Sequence, residues 1–196
     1  MTITLLSVTP DAEKIIELAG RTCYKSEPGN HAIIQKWIAA GHLSVIEHAS
    51  ATFRASGVSR ALTHQLVRHR VASYSQESQR YIEQKSAKFI CPESVIANPA
   101  LFAIYDGCID RIQKAYAELV KYGIPKEDAR YLLPNATQTE IVFTMNFREL
   151  RHFFELRCDR HAQWEIHDMS KEMLSMMIDI APNVFGDMKE LLEVGR

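Results

Sequence analysis

The chain has 196 residues, 46% hydrophobic and 24% charged, a balance too apolar for disorder and a length that suits one globular domain with its own core or at most two small ones. Its 23 Lys and Arg nearly match 24 Asp and Glu, and the net charge of -1 argues against coating nucleic acid or anionic membrane through bulk charge. No apolar run approaches the ~18 residues of a membrane span, and the first residues lack the basic start of a signal peptide, so cytosol is the expected compartment.

Residues 2–8 are rich in β-branched side chains, with Ile3 and Leu5 alternating, and predict a strand. Thr9-Pro10 reads as a helix start, with Asp11 and Glu13 complementing the dipole of a helix to about Ala19. A second helix is expected from Asn30 to just before Gly41, burying Ile33, Ile34, Trp37 and Ile38. Residues 49–55 predict a strand closed by Ser56-Gly57, and residues 58–69 a helix with Leu62 and Leu66 on one face. A polar stretch, 73–85, leads to a short strand at 87–91 stopped by Pro92. Asn98-Pro99 opens a long helix to Tyr122 that Gly123 ends, with Leu101, Ile104, Tyr105, Cys108, Ile112, Ala115 and Leu119 as its apolar stripe. Pro125 starts a short helix at 126–133, and residues 137–145 carry the strongest strand pattern. Residues 147–180 are helical in pattern with a break near Asp159, and Pro182 ends them.

These elements predict a mixed α/β (α+β) fold: a helix-dominant single domain over residues 1–196 with a small, mostly antiparallel sheet. Strand–helix alternation is too sparse for a doubly wound sheet, and neither G-x-G-x-x-G nor a Walker A sequence is present. Cys23, Cys91, Cys108 and Cys158 form no C-x-x-C pair and are expected to be reduced, mostly buried as small apolar groups.

Charge is uneven along the chain. Between His48 and Ile82 the basic residues are Arg54, Arg60, Arg68, Arg70 and Arg80, with Glu77 the only acid. All five are arginine, whose planar fork grips phosphate or a carbonyl edge with two hydrogen bonds. Gln65, Arg68 and His69 share one helix face, and Ser73 to Arg80 is dense in hydrogen-bonding side chains. The arrangement is either a solvated helix end and loop or a pocket for a compact, anionic ligand such as a nucleotide. A second cluster comprises Asn146, Arg148, Arg151, His152, Arg157, Asp159, Arg160 and His161, where i,i+4 ion pairs such as Arg151–Glu155 are the plain alternative. His161 and His167 lie six apart with Glu165 and Asp168 between or beside them, do not form H-E-x-x-H, and predict no metal.

The segment Arg68-His69-Arg70-Val71-Ala72-Ser73-Tyr74-Ser75-Gln76-Glu77-Ser78-Gln79-Arg80 resembles the signature of flavin-dependent thymidylate synthases, R-H-R followed by a polar loop ending S-x-R. Ser75 stands where the signature often has Asn. The likeness extends through Arg21-Thr22-Cys23-Tyr24, Gly41-His42, Glu47-His48, Pro125 with Ala129-Arg130, and Leu156-Arg157 with His161-Ala162-Gln163-Trp164-Glu165, in the family's order. Cys23 and His152 stand where the family more often has small polar or amide side chains.

The resemblance implies a homotetramer, with active sites shared between subunits, that converts dUMP to dTMP using FAD, NADPH and methylenetetrahydrofolate. It implies FAD binding by Ser44, Arg68, His69, Arg70, Gln76, Asn146, Arg148 and His152. It implies dUMP binding by Gln65, Arg68, Gln76, Glu77, Ser78, Gln79, Arg80, Arg130 and Arg157. Arg157 matches the arginine that sits beside the uracil ring and is the catalytic candidate; Cys158 is the rival, as a thiol nucleophile. Outside the family, the competing functions are a nucleic-acid-binding module using the arginine-rich helix and a metal-dependent hydrolase using the histidines; a family member that has lost activity and serves as a flavin-binding scaffold is a third.

Overall fold

Residues 1–27 and 29–195 are described in the computed structural model, Tyr24 by its backbone alone, and helix is the dominant element. In chain order the elements are β1 (Thr2–Val8), α1 (Ala12–Tyr24), α2 (Ile33–Ala39), β2 (Ser50–Ser59), α3 (Arg60–Leu66), β3 (Ala72–Gln76) and α4 (Glu93–Ile96). There follow α5 (Pro99–Lys121), α6 (Lys126–Ala129), β4 (Gln138–Asn146), α7 (Phe147–Arg157), α8 (Trp164–Ile180) and α9 (Pro182–Phe185). 3-10 helices occupy Leu43–His48, Arg130–Leu132 and Gly186–Glu193. The strands form one antiparallel sheet in the order β1-β2-β4-β3. The mixed, helix-dominant fold read from the sequence is the fold observed.

Contacts divide the chain into two compact units. The first comprises Met1–Ala55, Gln65–Ser75 and Val142–Arg196; the second comprises Ser56–His64 and Gln76–Ile141.

In the first unit, Phe53 and Phe143 stack with ring centroids 5.9 Å apart, and Thr52 meets Thr144 at 2.9 Å between hydroxyls, which fixes the register of β2 on β4. Helix α1 starts later and runs further than expected. Asp11 at φ +49 precedes its first turn, while the Thr9 hydroxyl accepts from the Ser50 backbone N–H at 2.9 Å instead of capping the helix. Gly20 lies mid-helix because a Cβ there would meet the Trp37 ring at 2.4 Å, so the glycine admits the α2 tryptophan. In α2 only Ile34 is buried; Ile33, Trp37 and Ile38 are half-buried.

The Asn146 side chain accepts from Glu149 N at 2.8 Å and starts α7. The break expected near Asp159 ends where the Gln163 side chain accepts from the Glu165 and Ile166 amides of α8. Helix α8 ends at Ile180, as its pattern predicts, and Pro182 opens the short α9. Arg151 does not serve an i,i+4 pair: its guanidinium turns to Asp187, at 2.6 and 2.8 Å, and to the Val184 carbonyl.

In the second unit, the Ser59 hydroxyl accepts from Leu62 N at 3.0 Å and fixes the start of α3. Strand β2 is not closed by Ser56-Gly57. Gly57 takes φ +71 within the strand, a local irregularity only glycine adopts freely, and pairing continues to Ser59. The expected strand at 87–91 is reduced to one bridge, Phe89 to Thr137. Helix α5 begins at the Asn98 cap, whose side chain accepts from Ala100 and Leu101 amides, and ends before Gly123 at φ +85. Its stripe is not core: Leu101 and Ile104 are 46% and 65% exposed, and Cys108 and Ala115 are exposed too. Tyr116 is the one fully buried side chain of α5, its hydroxyl accepting from Gln84 N at 3.2 Å. No helix among the described residues is long and apolar enough to cross a membrane.

Candidate active site

The arginine-rich segment leaves α3 in a tight turn, with Arg68 N donating to the Gln65 carbonyl at 3.3 Å and His69 N to the Leu66 carbonyl at 3.1 Å. The Tyr74 hydroxyl lies 2.7 Å from both the Leu66 and His69 carbonyls and holds the turn closed. This geometry turns His69 inward, where it is buried, and leaves Arg68 and Arg70 exposed on either side. The sequence could show that these three residues are adjacent, but not that the middle one points the other way.

His69 packs edge-on against Phe153 and His152 of α7, with ring centroids 5.0 and 5.8 Å away. Its Nδ1 is 3.1 Å from Glu149 Oε1, and its Nε2 accepts from Arg157 Nε at 3.1 Å. Burial, then the Arg157 and His152 charges, push the imidazole down to about 4, so it is neutral at physiological pH. Burial pushes the Glu149 carboxyl up. The Arg157 guanidinium reaches the Gln65 side-chain oxygen and the Gln65 carbonyl, each at 3.3 Å. Burial, with Arg68 nearby, lowers its pKa, but a guanidinium remains charged in a protein. Arg157 is thus a cation held by three acceptors before any ligand arrives.

Two hollows in this unit share Glu149 and His152 in their walls. One, of about 690 Å³, is lined in part by Glu47, Asn146, Arg148 and His152. The other, of about 440 Å³, is lined by Arg68, His69, Arg70, Leu156 and Arg157 besides the shared pair. Arg148 donates to Glu47 Oε1 at 2.6 Å on the exposed rim. Ser44 is exposed in the turn that carries Leu43 and Glu47, both wall residues of the larger hollow.

The second unit holds the other candidates. Gln76 is turned inward, its amide donating to the Thr63 hydroxyl at 3.0 Å and the Thr139 hydroxyl at 3.4 Å. Glu77 accepts at its carbonyl from Arg60 Nη2, at 2.7 Å, and at its carboxylate from the Gln84 amide, at 3.0 Å. Gln79 is buried. Ser78 accepts from Arg80 N at 3.3 Å, and the exposed Arg80 guanidinium donates to Glu127 Oε2 at 2.9 Å while lying over the Tyr81 ring. Arg130 Nε donates to the Glu127 carbonyl at 3.1 Å.

Four residues with a hold on these groups were given no such role in the sequence reading: Glu149, Glu47, Glu127 and Arg60, although Arg60 stood in its arginine-rich stretch and Glu47 in its Glu-His motif. The acids near α7 carried no signal that separated them from ordinary i,i+4 partners, since their targets lie far away in sequence. Cys158, the rival nucleophile, is fully buried against the Ser170 hydroxyl, at 3.2 Å, and burial pushes its thiol up, the opposite of an activated thiolate. Of the cysteines only Cys158 is buried; Cys91 is half-buried, and Cys23 and Cys108 are exposed. No group of three or more His, Cys, Asp or Glu among the described residues is arranged to hold a metal ion.

Residues 4–183 match the family model described as thymidylate synthase complementing protein. The chain is 46% identical over 200 residues to the flavin-dependent thymidylate synthase of Geobacter sulfurreducens, covering 95% of this chain and 86% of the relative. The corresponding protein of Clostridium tetani is 41% identical over 210 residues, covering 93% and 84% of the two chains. That of Pyrococcus abyssi is 49% identical over 138 residues, or 68% of this chain and 57% of the relative.

Proposed function

Because the chain belongs to the thymidylate synthase complementing protein family, we propose that it is a flavin-dependent thymidylate synthase, an enzyme that methylates dUMP reductively to dTMP. The observation that carries the proposal is the Arg157 guanidinium, fixed by Gln65 and His69 beside the R-H-R turn. In this reading methylenetetrahydrofolate donates the carbon, NADPH is the reductant, and the whole chain acts as one catalytic domain in the cytosol. It works as a homotetramer with active sites shared between subunits, a state supported by the exposed apolar stripe of α5.

The residues present fit FAD. Two hollows with common walls suit a long ligand, and the arginines at their rims, Arg68, Arg70 and Arg148, suit its diphosphate. Ser44, His69, Gln76, Asn146 and His152 complete the proposed cofactor set. When bound, the flavin supplies hydride chemistry that no side chain can. The protein's part is orientation and charge.

Transfer of a carbon to C5 of uracil requires electron density at that carbon. A guanidinium fixed beside the pyrimidine stabilises the N3-deprotonated ring and the charge that develops on it, so no cysteine adduct is needed. Arg157 is already half-buried and oriented, and therefore loses little freedom when dUMP arrives. Gln65 and Arg68 flank it in the proposed substrate set. Ser78, Arg80 and Arg130 provide the fork and hydroxyl chemistry that a phosphate needs where no glycine-rich loop exists. Glu77 and Gln79 belong to the same loop, which follows Gln76 at the end of β3, and its shape is held by Arg60 and Gln84.

The test is NADPH oxidation by the FAD-loaded protein with and without dUMP. Oxidation raised by dUMP, with dTMP formed once methylenetetrahydrofolate is added, is the expected result. Oxidation absent under both conditions overturns the proposal.

A further inference from the structure

The contact between Arg157 and His69 imposes a condition on the imidazole. A guanidinium only donates, so Nε2 of His69 must carry a free lone pair. A neutral imidazole has one proton, which then resides on Nδ1. The free imidazole has no strong reason to keep it there, and the opposite tautomer would place two donors, Nε2–H and Arg157 Nε–H, face to face 3.1 Å apart. What selects the required tautomer is an acceptor at Nδ1, and the structure supplies one: Glu149 Oε1, at 3.1 Å.

We infer that Glu149 is a positioning residue that fixes the Nδ1–H tautomer of His69 and, through it, the orientation of the Arg157 guanidinium. Glu149 is itself fixed from the backbone side, because its own N–H is the one capped by Asn146 at the first turn of α7. The relay therefore runs from a helix start through a carboxylate and an imidazole to a guanidinium, with Gln65 holding the far side of the arginine. The groups facing His69 are Glu149, His152 and Arg157, all from α7, and burial, Arg157 and His152 all favour the neutral ring. Glu149 also lines both hollows, so a direct effect on bound ligands has to be separated from an effect through His69.

This inference rests on the proposed role of Arg157, and two variants and two readouts separate its failure from the failure of that role. Glu149→Gln keeps an acceptor and loses the charge; Glu149→Met keeps the length and loses the acceptor. The first readout is the imidazole ¹⁵N spectrum of the FAD-loaded protein, with His69 assigned by the signal lost in His69→Asn. The second is dUMP-dependent NADPH oxidation. Nδ1–H is expected in the wild type and in Glu149→Gln, with Nε2–H appearing in Glu149→Met. Turnover of Glu149→Met is expected to fall about ten- to a hundredfold with flavin absorbance retained, the scale of one charge-assisted hydrogen bond. Turnover of Glu149→Gln stays within a few-fold of wild type. Glu149→Ala takes the place of the methionine variant if the latter does not accumulate folded.

An Nε2–H imidazole in the wild type overturns the inference, as does Nδ1–H persisting when the acceptor is gone. Equal losses in Glu149→Gln and Glu149→Met also overturn it, because charge and not the acceptor would then be what matters. If the wild type shows no dUMP-dependent oxidation, the synthase reading fails while the spectrum still decides the tautomer.

Discussion

Arg157 and Arg80 are both candidate nucleotide ligands, yet the two guanidiniums are held in opposite ways. Arg157 is half-buried and meets three acceptors, an imidazole nitrogen and two oxygens of Gln65, none of them a carboxylate. Arg80 is 53% exposed, lies over the Tyr81 ring and donates to the Glu127 carboxylate, itself 50% exposed. A half-buried cation among neutral acceptors keeps more of its field for whatever enters beside it. An exposed cation paired to an exposed acid is screened, and must exchange that acid for its ligand. The first arrangement suits stabilising charge that develops during a reaction; the second suits reversible capture of a phosphate.

The comparison is most sharply broken at Arg157. Arg157→Ala is expected to lower turnover on the order of 10²–10³-fold, the cost of losing one preorganised donor, while FAD remains bound by its absorbance. Near-normal turnover would remove Arg157 from the chemistry. Arg80→Lys should weaken dUMP binding about tenfold, because a point charge replaces a fork, with the turnover number much less affected. A dissociation constant unchanged by titration calorimetry would show that Arg80 is no ligand.

The acceptor that holds Arg157 gives a stability signature. The His69 pKa lies at about 4 when folded, below the 6.5 of the free side chain, so between these values the unfolded chain binds more protons. Stability is therefore full above pH 6.5 and declines as pH falls toward 4, by up to about 3 kcal/mol from this group. The half-buried Glu149 carboxyl, raised, works in the opposite direction over its own range. Chemical denaturation from pH 7 to 4 should show a shallower decline in His69→Gln than in the wild type. The smallest effect is expected at Glu127. Removing its charge in Glu127→Gln frees Arg80, and dUMP affinity should rise a few-fold at low salt with the gain lost at high salt. Weaker binding would mean that Glu127 orients Arg80 rather than competing for it.

Much of the fold was legible where a pattern and a stop signal agreed. Residues 137–145 alternate apolar and polar positions and form β4, and Asn98-Pro99 and Gly123 bracket α5 within a residue. Legibility failed where a residue's local habit was overruled. Gly57 looks like a terminator, but within a strand its freedom at positive φ lets pairing continue. The α5 stripe shows that helical periodicity reports which residues share a face and not whether anything covers that face. In the candidate site the motif positions were readable because they are sequential: Arg68 to Arg70 and Ser78 to Arg80. Their partners were not. His69 lies 80 residues from Glu149 and 88 from Arg157, and Arg80 lies 47 from Glu127. Contacts of that span arise from the fold, and their chemistry gives no local trace.

The uncovered stripe of α5 also bears on temperature. Leu101, Ile104, Cys108 and Ala115 ordered against water are surface whose burial, in any assembly that uses it, would carry a negative heat-capacity change. Association driven that way weakens on cooling, while the hydrogen bonds that hold Arg157 inside one unit do not share this dependence. In an assembly that buried this stripe, chilling would thus act first on the contact between copies and only later on the geometry of the arginine cluster.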